Sequence, residues 1–87
     1  MSGNGLWSTP TNWTGNEVPG NGDTAKFNNT SVTPSTIDDM FGGQVAEVVI
    51  ENTYMSTITV SKSLNITDKL TQSGGGISVS AGKQITV

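Results

Sequence analysis

Apolar residues come in pairs two apart along most of this chain: Val48 and Ile50, Ile58 and Val60, Leu64 and Ile66, Ile77 and Val79, Ile85 and Val87, with Leu70 and Gln72 as a weaker pair between them. A spacing of two places both members on one face of a β-strand. Polar turn formers separate the pairs, namely Glu51-Asn52-Thr53, Ser61-Lys62-Ser63, Thr67-Asp68-Lys69, Ser73-Gly74-Gly75-Gly76 and Ser80-Ala81-Gly82-Lys83, so the strands are short and the corners frequent. Successive pairs begin at residues 48, 58, 64, 70, 77 and 85. Three consecutive faces therefore take about twenty residues, the length of one coil of a three-sided solenoid. The expected fold is all-β: a short right-handed parallel β-solenoid in which Ile58 and Val60 sit under Ile77 and Val79, and Leu64 and Ile66 under Ile85 and Val87. Alternation does not say which strand pairs with which, so an antiparallel β-sandwich or meander with equally short strands is the alternative.

The front of the chain has a different texture. Residues 6–27 hold both tryptophans, two of the three prolines, Phe27 and no continuous apolar run. A solenoid's first coil would expose an apolar bore and a row of unpaired backbone groups, which must be covered. Trp7 and Trp13 are large enough to close the bore with Phe27 beneath them, while Pro10 and Pro19 shape a loop that cannot continue a strand ladder. Residues 1–35 are accordingly expected to form an aromatic N-terminal cap and first strand, and residues 36–87 the coils, in one domain. The alternative use of Trp7 and Trp13 is an exposed platform that stacks on sugar rings.

Composition narrows the chemistry. Thirteen threonines, ten serines and eight asparagines make up 31 of the 87 residues, a mixture that suits strands with one wet face and disfavours helices. A chain of this length buries only roughly 60–65% of its unfolded surface, and without cysteine neither disulfides nor thiolate metal sites supplement the core. Histidine and arginine are absent as well, which removes the commonest general base and the bidentate clamp for phosphate. Four lysines against seven acids give a net charge of −3 with no basic cluster, so nucleic acid is not an expected partner. No window approaches the about 18 apolar residues of a membrane span. Residues 1–5 lack the basic and apolar regions of a secretory signal, so the chain is expected either to act without such export or to be trimmed from something longer.

The motif Trp7-Ser8 … Asn12-Trp13 … Val18-Pro19-Gly20 … Gly22-Asp23-Thr24-Ala25 resembles the opening that precedes β-helical repeats in bacterial surface proteins of the autotransporter-adhesin type. The segments around Ser56-Thr57-Ile58-Thr59-Val60, Ser63-Leu64-Asn65-Ile66-Thr67 and Leu70-Thr71-Gln72-Ser73-Gly74-Gly75 are similar to the coils that follow it there. The resemblance spans nearly the whole chain and implies a capped β-helix and a surface or adhesin role.

Chemical candidates are few. A glycosidase or lyase needs two carboxylates at a set separation, and Asp38-Asp39 with the scattered Glu17, Asp23, Glu47, Glu51 and Asp68 offer no such pattern, so no catalytic residue, cofactor or metal is expected. Gly20-Asn21-Gly22-Asp23 and Asp38-Asp39 lack EF-hand spacing, and Ser73-Gly74-Gly75-Gly76 lacks both the aspartate of calcium-binding nonapeptides and the Lys-Ser/Thr of a phosphate loop. Four Asn-x-Ser/Thr sequons, at Asn12, Asn28, Asn29 and Asn65, follow from composition and do not imply glycosylation. Gln84, Ile85, Thr86 and Val87 read as an open strand, to be covered by another copy, by a partner or by residues of a longer chain from which this one was cut. Met40 and Phe41 form an apolar tip that either tucks into the core or meets a neighbouring subunit. The expected function is a non-enzymatic structural module working through assembly, as a homo-oligomer or larger protein assembly, on a virion as a decoration or cement protein or at a cell surface. The alternative is a carbohydrate-binding surface module with polysaccharide as partner.

Overall fold

Strands form where β-branched residues alternate with Ser, Thr and Asn, and the turns between them are polar and glycine-rich. The computed structural model describes residues 3–31 and 33–87; residues 1, 2 and 32, which belong to the segment 1–35 expected to be a cap and first strand, lie outside the described residues. Among the described residues there are seven strands: β1 (Thr24–Phe27), β2 (Ser35–Ile37), β3 (Gln44–Ile50), β4 (Thr57–Val60), β5 (Leu64–Gln72), β6 (Gly76–Val79) and β7 (Ile85–Thr86). A single 3-10 turn at Pro10–Asn12 is the only helical element among them.

The strands build a four-stranded sheet of order β1-β3-β5-β7 and a three-stranded sheet of order β2-β4-β6. Each strand pairs with the strand two later in the chain, and every pair is parallel. The antiparallel pairing that alternation alone allowed is thus not the one adopted. Register follows the apolar columns: Ile58 pairs with Ile77 and Val60 with Val79, and Leu64 pairs with Ile85. Pairing of β5 with β7 stops at Asn65 and Thr86, and Val87 is 67% exposed, so the expected seat of Ile66 under Val87 is not reached.

One expected turn is not a turn. Thr67-Asp68-Lys69 lies inside β5, where Val45 faces Ile66 but Glu47 faces Lys69. One residue of β3, Ala46, therefore opposes two of β5, Thr67 and Asp68, a bulge that lets one strand change direction without breaking. Leu64, Ile66 and Leu70 stay in step with one another, and it is the polar run Thr67-Asp68-Lys69 between them that makes them read as separate strands.

The core is a stack of inward residues. Ala25, Val48 and Leu70 form one column, and Ile37, Val60 and Val79 another. The first two members of each are buried, whereas Leu70 is only partly covered and Val79 is 47% exposed. The interior gap, lined by Trp7, Ile37, Val60 and their neighbours, holds about 10 Å³. Its lining is wholly apolar and gives a water no hydrogen-bond partner. Above β2 the chain adds one further bridge: the Thr36 amide donates to Gly5 O at 2.9 Å, and the Trp7 amide to Thr36 O at 3.0 Å. Gly5 has φ +75°, and a Cβ there would lie 2.1 Å from Pro34 O, so only glycine allows this close approach.

Candidate functional site

The N-terminal segment is fixed by polar contacts that leave its aromatic rings pointing inward. Asn4 Oδ1 accepts from the Leu6 amide at 3.1 Å and from Asn12 Nδ2 at 2.7 Å, and Asn12 Nδ2 also donates to Leu6 O at 3.0 Å. Trp7 Nε1 donates to Ser35 Oγ at 2.5 Å, and Trp13 Nε1 to Trp7 O at 3.0 Å. Both indole N–H groups are therefore satisfied, as burial of a tryptophan requires. Trp7 stacks on Phe27 with centroids 5.6 Å apart and meets Trp13 and Phe41 edge-on at 5.4 and 5.2 Å. Tyr54 extends the cluster, its ring 5.3 Å from Phe27, and burial pushes its phenol above the usual value.

This geometry corrects the expectation of a sugar platform made of Trp7 and Trp13. Trp7 is wholly buried, so it has no face for a sugar ring, and its N–H is committed to Ser35. Trp13 retains 9% of its surface, a strip rather than a platform. That strip borders two polar hollows on the outer side of β1: one of about 230 Å³ lined also by Thr14, Thr24, Lys26 and Asn28, and one of about 220 Å³ lined also by Thr14, Glu17, Asp23 and Thr24.

The expected assembly residues divide. Phe41 is 1% exposed and packed on Trp7, which removes it from any subunit contact. Its neighbour Met40 is 84% exposed. The turn between them is held from both sides: the Phe41 amide donates to Asp38 O at 3.0 Å, and Lys62 Nζ donates to Phe41 O at 2.5 Å and Asp39 O at 3.3 Å. Such a turn must send alternate side chains in and out, and the aromatic one takes the core. Gln84, Thr86 and Val87 are exposed, while Ile85 is partly covered by the core. Gln84 is anchored by its amide to Ser63 Oγ at 3.1 Å and by its carbonyl to the Leu64 amide at 2.9 Å. Met40 lies in the turn that leads to β3, four residues before its start, and Gln84 immediately precedes β7.

The acids serve local structure. Asp38 accepts from the Ser8 amide at 3.0 Å and from Ser8 Oγ at 2.5 Å. Partial burial alone would raise this carboxyl, but those hydrogen bonds and others from its own and the Met40 backbone outweigh it and hold it below its ordinary value. Asp23 Oδ2 accepts from the Gly20 amide at 2.9 Å. Glu51 pairs with Lys26 at 3.2 Å and Glu47 with Lys69 at 3.7 Å, each across adjacent strands. Among the described residues no three metal-binding side chains gather, and no helix is long and apolar enough to cross a membrane.

Sequence reasoning missed Tyr54, Ser35 and Asn12, all buried. Tyr54 lies in a polar turn with no alternation around it. Ser35 and Asn12 are polar residues whose burial is intelligible only from their partners, Trp7 Nε1 for the first and Asn4 with Leu6 O for the second. The chain matches no protein-family model, no curated protein and no solved structure.

Proposed function

We propose that this chain is a non-enzymatic structural module, a short right-handed parallel β-solenoid with an aromatic N-terminal cap, that works through assembly on a virion or as part of a bacterial surface protein. Parallel pairing of each strand with the one two later supports the solenoid winding, and the right hand follows from the near-universal handedness of parallel crossovers. The observation that carries the reading is the difference between the two ends of the stack. At one end Gly5–Trp7 pairs with β2, and Trp7, Trp13 and Phe27 seal the interior. At the other, β6 and residues 69–72 of β5 have no strand beyond them among the described residues, and Leu70, Ile77 and Ile85 are only partly covered.

An uncovered rung of this kind is a template for another strand: backbone hydrogen bonds supply affinity, and the apolar columns exclude water beneath it. Assembly in this reading means that a further rung is laid on β6 and the distal half of β5. The test is the mass of the chain by light scattering over a concentration series, with Val79→Lys as the variant. Val79 is already 47% exposed, so the lysine leaves the fold intact while placing a charge where the next rung must seat. A defined oligomer or growing filament that Val79→Lys abolishes at unchanged melting temperature supports the proposal. A monomer at every concentration, or association indifferent to Val79→Lys, refutes it.

A further inference from the structure

The outer face of β1 carries a trough that rung stacking leaves unused. Alternation along β1 sends Ala25 and Phe27 into the core and Thr24 and Lys26 outward. The two hollows beside that face share Trp13, Thr14 and Thr24, so they adjoin across Thr24 and are taken together as one trough. Their volumes together fall within the range of about 300–1,000 Å³ typical of small-molecule sites. Apart from Trp13 and Pro19, every lining side chain ends in a hydroxyl, amide, carboxylate or ammonium group. Trp13 has committed its N–H to Trp7 O, so it offers the trough only carbon surface.

These properties discriminate among ligands. A phosphate or other strong anion would find one lysine, already paired with Glu51 at 3.2 Å, and Glu17 and Asp23 on the same trough. An apolar ligand or side chain would find no enclosed apolar wall. Thr30 Oγ1 donates to Asn28 Oδ1 at 2.6 Å, which leaves the Thr14 and Thr24 hydroxyls and Asn28 Nδ2 beside the strip of indole, and a ligand with C–H patches and a rim of hydroxyls fits that set. We propose that this trough binds a neutral oligosaccharide of about two or three hexose units, with Trp13 against a sugar C–H face and the Thr14 and Thr24 hydroxyls and Asn28 Nδ2 on its hydroxyls. The site requires neither exposure of Trp7 nor assembly of the chain.

The experiment is an NMR titration of the ¹⁵N-labelled chain with cellotriose, maltotriose and chitotriose. An open polar trough predicts weak binding, with Kd of about 1 mM for at least one sugar. The Trp13 indole and the Thr14 and Thr24 amides shift saturably, while the Trp7 indole stays still. Thr24→Arg fills the shared middle of the trough from an exposed position and weakens binding at least about tenfold at unchanged melting temperature. The proposal is overturned if no sugar shifts these signals up to about 20 mM. It is equally overturned if Thr24→Arg binds as well as the parent, or if an unrelated extended peptide shifts the same signals when none of the three sugars does.

Discussion

Phe41 and Met40 are neighbours in one turn with opposite surroundings, and replacing each in turn tests the whole account of the aromatic end. Phe41 is 1% exposed with its ring 5.2 Å from Trp7, whereas Met40 is 84% exposed. Truncating a buried phenylalanine to alanine costs about 3–5 kcal/mol, because transfer energy is lost and a cavity remains. A chain of this size has a total stability of about 4–13 kcal/mol, so Phe41→Ala removes a large share of it and leaves the protein partly unfolded if the total is at the low end. Phe41→Leu is the milder perturbation: it retains most apolar volume but loses the edge contact with Trp7, a cost of about 1–2 kcal/mol. Met40→Ala removes an exposed side chain and falls within about 0.5 kcal/mol of the parent. Urea unfolding followed by tryptophan emission and by circular dichroism measures all three. For a domain this small, Phe41→Leu corresponds to a melting temperature lower by at least about 4 °C. If Phe41→Ala and Phe41→Leu were as harmless as Met40→Ala, Phe41 would be a surface residue and the sealed end would not exist.

Three further outcomes follow from local geometry. Asp38 has a folded-state pKa below its ordinary value of 3.8, so in acid the unfolded chain binds more protons than the folded one; stability is full above about pH 4 and falls as pH drops through the folded value. Thermal melts from neutral to acidic pH should show this loss, and Asp38→Asn or Ser8→Ala should reduce it. Gly75 has φ +60°, and a Cβ there would lie 2.5 Å from Tyr54 Cδ2 and 2.9 Å from Ser56 O; Gly75→Ala should cost at least about 2 kcal/mol in urea unfolding. Gly22→Ala, with φ +93° but open space around it, should cost only about 1 kcal/mol by the same measurement.

What the sequence made legible was whatever period two could express. The columns Ile58 to Ile77 and Val60 to Val79 follow from spacing alone, because a two-residue period fixes the inward face and a near-constant separation between paired strands fixes what lies beside it. Period two fails where the chain bends. At β5 exposed Asp68 takes the place between Ile66 and Leu70 where period two calls for an apolar residue, so a continuous nine-residue strand reads as two strands and a turn, and in β3 the phase itself breaks, buried Val45 and Val48 being three apart. It also fails at β1 and β2, where Thr24-Ala25-Lys26-Phe27 and Ser35-Thr36-Ile37 each carry an inward residue too small or too polar to register. Ser35 is the sharper case: its hydroxyl makes a polar inward position acceptable only because the Trp7 indole, 28 residues away, reaches it. The burial of Trp7, Trp13 and Phe27 was legible from the bulk of their side chains. Which surface remained for a ligand was not, since that depends on Trp13 keeping one strip uncovered while Trp7 keeps none.

The outward columns carry a second constraint that alternation does not show. In a parallel stack, side chains at paired positions lie one strand spacing apart, about 4.8 Å, so like charges in one column repel along the stacking direction. The chain avoids this: Thr24, Glu47 and Lys69 share a column, with Lys69 Nζ 3.7 Å from Glu47 Oε2, and Lys26 reaches Glu51 at 3.2 Å. Lys69→Glu would set two carboxylates on neighbouring rungs in place of an ion pair. Both groups are at least partly exposed, so solvent screens them, and the cost should be about 0.5–1 kcal/mol in low salt. At about 1 M salt the Debye length falls to about 3 Å and most of that cost should vanish. Chemical denaturation at the two ionic strengths measures the difference. In a Glu47→Gln background the penalty of Lys69→Glu should largely disappear, because the repelling partner is gone. A penalty that persists in that background and in high salt would mean that lysine at position 69 acts through packing of its stem. Charge would then not set the register of the outward column.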